Sequence, residues 1–529
     1  MPPPSELDGR DGIVAMLLFA AAVAYLALVP RNLGLADESY FLYEAKRIRE
    51  GEVMYRDFFQ FVTPLSSYLM AGLFALFGTS MATARISMAV LHATTGVLLY
   101  ATARRLGVRR GFAALVVLAY LAICQAVWPY ASWHWFSTLL AAALLFAMVA
   151  GPWASRPGWG VVPGVVSGLM IGVQQQKGVF AAAGVGAVFV LDHLLCRREP
   201  SPAPWAQLET RLACFAAGVA VVVVPLLAVF VGLAGVEPVY AALVRFPLEN
   251  YRSNIHIDWG AAGFLSAHYA EYTMPRLLRY SPAALVLPVL AGLRAMRCGD
   301  RQRVRQLIAL IILSACAALS VWYYPDTIHI AFIAAGFWLC AAVGVEWLLA
   351  SLPGARPARL AAALVEIAIT AVLGLHMFGY VRQLRREFPI AHETAFGRVD
   401  FAARWQVLLV DHVRGVLAAS PDKDIFYYPP AVSMYLLTGG HNPTPYQYLL
   451  PGVSPEEHTS KTLAMLRDGR VPYVITWPFG AAPRDPIVQY IRENYEIVSV
   501  PEVGASGERT EYRLFARKDR ARPNAPMGS

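Results

Sequence analysis

The chain has 529 residues, of which 57% are hydrophobic and only 15% charged, and its mean hydropathy is +0.46. That balance lies outside the range of ordinary soluble domains and indicates a polytopic membrane protein. The formal charge of +9 comes from arginines clustered between apolar runs, so topology rather than a nucleic-acid partner accounts for it.

The opening MPPPSELDGRDG has no basic n-region, and no convincing cleavage site follows. The first apolar run, 13–30, is therefore expected to be a retained span. Further spans of roughly twenty residues are expected near 81–103, 111–128, 133–150, 160–176, 178–195, 211–234, 280–296, 306–322, 328–350 and 359–380. Between them, in loops that all share one side, stand Arg104, Arg105, Arg109 and Arg110; Arg197 and Arg198; Arg294, Arg297, Arg301, Arg303 and Arg305; and Arg356 and Arg359. The positive-inside rule makes that side cytoplasmic and places the other connections outside. Six cysteines lie in or beside apolar runs without metal-ligand or disulfide spacing, and read as small buried hydrophobes.

The stretch Gly34–Gly78 follows the first span and carries adjacent carboxylates, Asp37 and Glu38. Two readings are open for that pair: charges favouring the positive end of a helix SYFLYEAKRIRE, or chemistry at the membrane surface. Pro64–Phe77 is too short to span and reads as an interfacial helix. A second long external connection, 235–279, is rich in Tyr, Arg and His, among them Arg252, His256 and His268, which either shape an acceptor groove or solvate it.

After Tyr380 charge rises and the apolar runs shorten. DIFYYPP, PYVITWPF, EIVSV and EYRLFARK read as strands, PIVQYIRENY as a helix, and SPEEHTSKTLAMLRDGR as a helix capped by Ser454. The expected organisation is a membrane unit over 1–380, with 31–80 as its first external loop, then an α/β domain over 381–518 and a disordered tail over 519–529. An odd span count from a cytoplasmic N-terminus puts the α/β domain outside, in the periplasm of a Gram-negative host. No internal repeat or heptad array is evident.

The chain has no Walker A loop and no G-x-G-x-x-G after a strand, so nothing in it cradles a nucleotide. An activated donor used outside the cytoplasm must carry its own energy, as a polyprenyl phosphate sugar does. A shielded carboxylate near such a donor could accept a proton from an attacking hydroxyl. The run DESYFLYEAKRIREGEVMYRDFFQFVTPLSSYLMAGLFALFG, followed by ATARISM, resembles the first external loop of the GT-C glycosyltransferase superfamily. The similarity is to the bacterial branch holding protein O-mannosyltransferase-like, aminoarabinose and lipopolysaccharide-core galacturonic acid transferases. It rests on the acidic residue after span one, the G-x-x-x-Y-R-D-F piece, the Pro-led helix ending in Phe-Gly, and Arg85 opening span two. It extends through the multi-span region and, more loosely, to an external C-terminal α/β domain.

The resemblance implies a polytopic α-helical GT-C fold. It implies inverting transfer of one sugar from a polyprenyl phosphate to a hydroxyl of an envelope glycan, lipid or protein, with Asp37 as general base and Glu38 assisting it, positioning the loop or capping the helix. The setting would be a bacterial inner membrane with the site facing the periplasm. Lys177 is the candidate phosphate anchor, because a lysine flanked by apolar helices is costly to leave unpaired; the alternative is a lysine snorkelling from a span end. Gln176, with Gln174 and Gln175, could add hydrogen bonds. Arg56, Asp57 and Arg85 read as donor-phosphate or substrate contacts, the alternative being an ion pair of Asp57 with Arg56 or Arg85 that fixes the loop. His134 lies in an aromatic turn with Trp133 and Trp135 that the membrane aromatic belt also explains. Asp326 and His329, in WYYPDTIHIAF, match a pattern found near the lipid phosphate in the family, against a packing histidine as the alternative. No cofactor is expected and no metal ligands are assigned: some members have an acidic residue near Trp133, and its absence here leaves a divalent metal unsupported. A transporter or flippase, with charges at the middle of paired spans, and an inactive envelope-assembly relative are the competing classes.

Overall fold

The computed structural model describes residues 7–34, 37–195, 204–251, 257–262, 274–351, 355–418, 420, 423–447, 449, 454–469, 471–476, 485–499 and 512–518. Arg252, His256, His268, Arg197, Arg198, Cys196 and the 519–529 tail lie outside them.

The N-terminal part is a helical bundle. Helix α1 (Gly9–Ala27) begins four residues earlier than the apolar run because Asp8 caps it, its carboxylate accepting from the Asp11 amide while Asp11 returns the bond. Then come α2 (Asp37–Arg49), α3 (Leu65–Phe77), α4 (Met81–Arg105), α5 (Arg110–Gln125), α6 (Trp133–Ala150), α7 (Pro157–Val173), α8 (Gln175–Leu195) and α9 (Pro204–Ala234). They are followed by α10 (Pro275–Arg297), α11 (Arg301–Ser320), α12 (Thr327–Ile333), α13 (Ala335–Ala350) and α14 (Ala355–Glu387). Among the described residues eight helices are long and apolar enough to cross a membrane, and nine if α12 and α13, bent by 61°, count as one span. The shorter apolar α5 and α7 fill the other two expected positions, so the chain is a multi-pass membrane protein with the expected order of spans. Exposed Val221, Val224, Leu364, Ile367 and Leu375 on α9 and α14 form an outer surface that only lipid would solvate.

Close helix packing explains a glycine pattern in α7. Gly160, Gly164, Gly168 and Gly172 recur every fourth residue and face α9, where a Cβ on Gly164 would lie 2.3 Å from the Phe215 carbonyl oxygen. In lipid, where apolar side chains gain little by leaving their surroundings, such close backbone approach is a main source of helix association.

Buried ion pairs bind the arginine-rich end of the bundle. Asp11 takes Arg104 at 2.8 Å and Arg110 at 3.0 Å; Asp192 takes Arg211 at 2.9 Å and Arg305 at 2.6 Å; and Glu346 takes Arg109 at 2.9 Å. Several of the arginines that indicated topology in the sequence therefore also join helices there.

At the other end α14 runs past residue 380 to Glu387 and leads into a hairpin, β1 (Ile390–Thr394) with β2 (Gly397–Phe401). Next are α15 (Arg404–Ala418), β3 (Ile425–Tyr427), α16 (Val432–Thr438), α17 (Glu456–Arg467), β4 (Tyr473–Thr476), α18 (Pro486–Asn494), β5 (Tyr495–Ser499) and β6 (Arg513–Arg517). The larger sheet has the order β3-β4-β6-β5, with β3 and β4 parallel and the other pairs antiparallel. The hairpin, α15 and α16 add to the expected elements. The cap of α17 is Pro455, with no side-chain hydrogen bond, which corrects the Ser454 expectation: the chain enters that helix one residue later.

This α/β part rests on the loop after α1. The Phe59 amide donates to the Pro445 carbonyl at 2.9 Å and the Met81 amide to the Phe396 carbonyl at 2.9 Å, while Tyr43 stacks on Tyr435 with ring centroids 4.8 Å apart. The elements around α2 are thus held from above and below.

Candidate functional site

Helix α2 presents residues 37, 41 and 44 on one side at helical spacing, and it is buried all round from Glu38 to Ala45. Asp37, at its start, is half-buried. Burial raises the Asp37 carboxyl above its ordinary value; nearby Asp326 acts in the same direction and nearby His329 opposes it.

Glu38 differs completely from its neighbour. It is fully buried, accepts from the Gly34 amide at 2.7 Å and the Ala131 amide at 2.6 Å, and holds the guanidinium of Arg85 through both nitrogens. Arg85 also donates to the Asn32 carbonyl. These bonds tie α1, α2, α4 and the entry to α6 together. Both residues are thus committed to anchoring, and of the three roles open for Glu38 the geometry favours positioning the loop.

Lys177 sits in the first turn of α8. The break at Gln174 and the absence of a side chain at Gly178, whose Cβ would lie 2.2 Å from the Ile171 nitrogen, let α8 turn back tightly on α7. That turn buries Lys177 at 6% exposure. Its Nζ lies 3.0 Å from His134 Nδ1, 3.4 Å from Ser137 Oγ and 5.0 Å from the centre of the Phe332 ring. Among the described residues no carboxylate lies within ion-pair distance of it.

His134 opens α6 behind a Ser132 cap, Ser132 Oγ accepting from the His134 amide. The Gln174 amide also donates to its Nδ1, at 3.1 Å, and two donors on Nδ1 leave the ring proton on Nε2. The ring stacks on Phe332 at 4.4 Å and meets His329 edge-on at 5.1 Å. His329 in turn donates its backbone amide and ring Nδ1 to Asp326 Oδ1, at 2.8 and 2.7 Å, with Asp326 capping α12. Asp326 Oδ2 is buried without a hydrogen-bond partner among the described residues. Tyr323 flanks the group, its phenol pushed up by burial, with Asp326 and Asp37 adding to the effect.

The structure therefore brings Asp37, His134, Lys177 and the Asp326–His329 pair into one cluster from four separate places in the chain. Below Lys177 a small cavity of about 50 Å³ opens between α6, α8, α11 and the α12–α13 bend, lined mostly by apolar residues such as Leu145, Met170, Leu313 and Ile333. The remaining sequence candidates have other partners. Gln176 donates to the Ser320 carbonyl at 2.8 Å, and Gln175 bridges Phe61 and Thr63. Arg56 and Asp57 pair with each other at 2.7 Å on the surface, and Asp57 also accepts from the Val53 amide, closing a turn in which Tyr55 has φ of 71°. Among the described residues no group of three or more His, Cys, Asp or Glu side chains is placed to hold a metal ion.

Sequence reasoning did not single out Glu44. It is fully buried two turns from Asp37 and accepts from Gln60, from Ser67 at 3.0 Å and from Gln447 at 2.9 Å, linking α2 to α3 and to the α/β part. Burial pushes its carboxyl up to about 8, against those three bonds and the charge of Arg47. The helical spacing of Asp37 and Glu44 was the available signal. Next to it, Arg47 and Glu52 pair at 2.6 Å, and His441 joins Glu52 at 3.2 Å to Asp424 at 2.8 Å.

The bundle with this site and a C-terminal α/β part matches solved structures over nearly its whole length. ArnT from Cupriavidus metallidurans, bound to undecaprenyl phosphate, aligns with a TM-score of 0.60 at 15% identity, covering 96% of this chain and 97% of that one. At that identity the likeness is one of fold: the chain shares the membrane architecture of that structure. The same ArnT in its apo state aligns equally well, with a TM-score of 0.60. Arabinofuranosyltransferase AftD from Mycobacteria aligns with a TM-score of 0.56 at 15% identity, covering 98% of this chain and 40% of that one. A sequence-family model described as dolichyl-phosphate-mannose-protein mannosyltransferase matches residues 62–228, a stretch that holds Arg85, His134 and Lys177 but not Asp37. No curated protein sequence matches the chain.

Proposed function

We propose that this chain is a GT-C glycosyltransferase that moves a single sugar from a polyprenyl phosphate to an acceptor hydroxyl. The observation that carries this reading is Lys177, a buried cation without a carboxylate partner among the described residues, at the head of an apolar cavity and linked through His134 and His329 to the surroundings of the raised Asp37 carboxyl. A buried ammonium in that state is costly, and the phosphate of a lipid donor would relieve the cost beside apolar walls that suit its hydrocarbon. That ArnT binds undecaprenyl phosphate supports the same ligand class.

In the reaction, Asp37 accepts the proton of the acceptor hydroxyl as the oxygen attacks the anomeric carbon, and the phosphate departs toward Lys177 with the electrons of the broken bond. One displacement at carbon gives inversion. The raised Asp37 carboxyl suits a base, whose best pKa lies near the working pH. His329, held at Nδ1 by Asp326, borders the same space and helps set the field around Asp37. The reaction draws on the donor's activated sugar and on residues of the chain. The arginine-rich end of the bundle would face the cytoplasm and the site the outer face of a bacterial inner membrane, with a hydroxyl of an envelope glycan, lipid or protein as acceptor.

The test uses purified protein in liposomes, a panel of labelled polyprenyl phosphate sugars and envelope material from a strain lacking the gene. Transfer to a component of that material by wild type, lost in Asp37→Asn, is the expected result. Unaltered transfer by Asp37→Asn, or uptake of the donor without covalent change, would overturn the reading.

A further inference from the structure

A second lipid-facing recess lies apart from the cluster. Helix α1 packs against α4, and α14 against α5, and the gap between α1 and α14 forms a groove of about 670 Å³. Its walls are apolar, with Leu28 from the end of α1 and Phe378 from α14, and Gly374 leaves its far end open, since no atom lies within 4 Å of a Cβ built there. The near end is lined by Arg382, Arg385 and Arg386 in the last turns of α14.

Those arginines stand at the end of the bundle opposite the arginine-rich loops, where charge bias would disfavour them. Arg385 Nε donates to the Leu28 carbonyl at 3.0 Å, which brings the guanidinium across the mouth of the groove. Among the described residues no carboxylate lies within ion-pair distance of Arg382, Arg385 or Arg386. The hydroxyl of Tyr25, which lines the groove, is shielded from solvent and has no hydrogen-bond partner among the described residues. The helix C-terminus favours cations, but it does not account for a recess joined to them or for the unpartnered hydroxyl.

We propose that the α1–α14 groove is a binding site for one anionic glycerophospholipid, its phosphate on the three arginines and one acyl chain laid along Phe378 toward Gly374. From residue 386 to residue 374 the helix rises about 18 Å, a length that one acyl chain can follow. Tyr25 can donate to an ester carbonyl along that path. Three guanidinium groups at one mouth select a phosphate with a net negative charge over a zwitterionic headgroup. The bound lipid fastens α1 to α14, and through α14 the α/β part to the bundle.

The test is native mass spectrometry of the delipidated full-length protein after incubation with phosphatidylglycerol or phosphatidylcholine. Wild type is expected to retain one more phosphatidylglycerol than phosphatidylcholine. Arg382→Gln with Arg386→Gln should weaken that retention roughly thirtyfold, each charge near the headgroup counting for about fivefold. Gly374→Leu keeps the arginines and has room for its side chain, so it tests the acyl path should the double variant fail to fold; it should also lose the tightly held molecule. Equal retention of the two lipids, undiminished retention in either variant, or displacement of the phosphatidylglycerol by undecaprenyl phosphate would overturn the proposal.

Discussion

The two ends of this bundle treat buried charge differently. At the arginine-rich end Asp11, Asp192 and Glu346 each meet a guanidinium, and two of them meet two. At the other end Glu38 is paired in the same way, yet Asp37, one residue away, keeps a raised carboxyl, and Lys177 has only neutral neighbours among its contacts. Breaking a buried pair strands a charge and costs stability, whereas removing an uncompensated charge does not. The first kind of charge holds helices together, and the second is a standing cost that a ligand would offset.

The sharpest way to break this comparison is to neutralise the adjacent carboxylates separately. Asp37→Asn is expected to lower the transfer rate by about 10²- to 10⁴-fold, the usual range for a lost general base, without moving the melting midpoint. Glu38→Gln should do the reverse in kind, destabilising the protein by about 3–5 kcal/mol because Arg85 is left buried without its anion. Thermal unfolding and transfer assays on both variants decide it; if Glu38→Gln unfolds no earlier than wild type, the anchoring role fails.

Lys177→Met should weaken donor binding by roughly tenfold to a hundredfold while leaving stability unchanged or higher, since an unpaired buried ammonium is replaced by an apolar chain of similar length. Equilibrium binding of undecaprenyl phosphate measures the first quantity and a melt the second. The pH profile tests Asp37 in another way. A base must be ionised to act and burial raises this carboxyl, so kcat/KM should rise with pH along a limb displaced above the ordinary carboxylate value near 4. A limb centred at or below that value would remove Asp37 as the titrating base.

A last test concerns Glu44, whose folded-state value of about 8 exceeds that of an unfolded glutamate. The folded state then holds the proton after the unfolded chain has released it. Stability should therefore decline as pH rises from about 4.3, the unfolded value, and level off near 8. In Glu44→Gln, which can keep an oxygen toward Gln60 and Gln447, that slope should vanish. Melting midpoints across this pH range are the measurement.

Much of this architecture was legible in the sequence because lipid restricts the solutions. Long apolar runs separated by arginines must be spans, and each expected span coincides with an apolar helix. The α7 glycines were equally visible at their regular spacing, but their partner, α9, was not, because a helix face carries no label for what it meets. In the α/β part the strands over 425–427 and 473–476 follow apolar runs, whereas the 390–401 hairpin, half exposed and interrupted by charged side chains, carries a weak alternation. At the site, Lys177 stood out as a lysine among apolar residues. Glu44 did not, because an EAK triplet within a helix reads as a solvated surface.

The residues between Gly34 and Gly78 show where the boundary lies. By itself the sequence determined that this chain crosses a membrane many times, that two adjacent carboxylates follow the first span, and that a lysine interrupts apolar residues near the sixth. It could not divide Asp37 from Glu38, since neighbours on a helix point about 100° apart and which of them meets an arginine depends on where α4 packs. Only the tertiary structure decided that Arg85 closes on Glu38, and only it brought Lys177, His134, His329 and Asp326 to the side of the bundle where Asp37 remains. The physical reason is range: hydropathy acts on every residue through the solvent, while the pairing of charges acts over a few ångströms between segments far apart in the chain, 47 residues for Arg85 and Glu38.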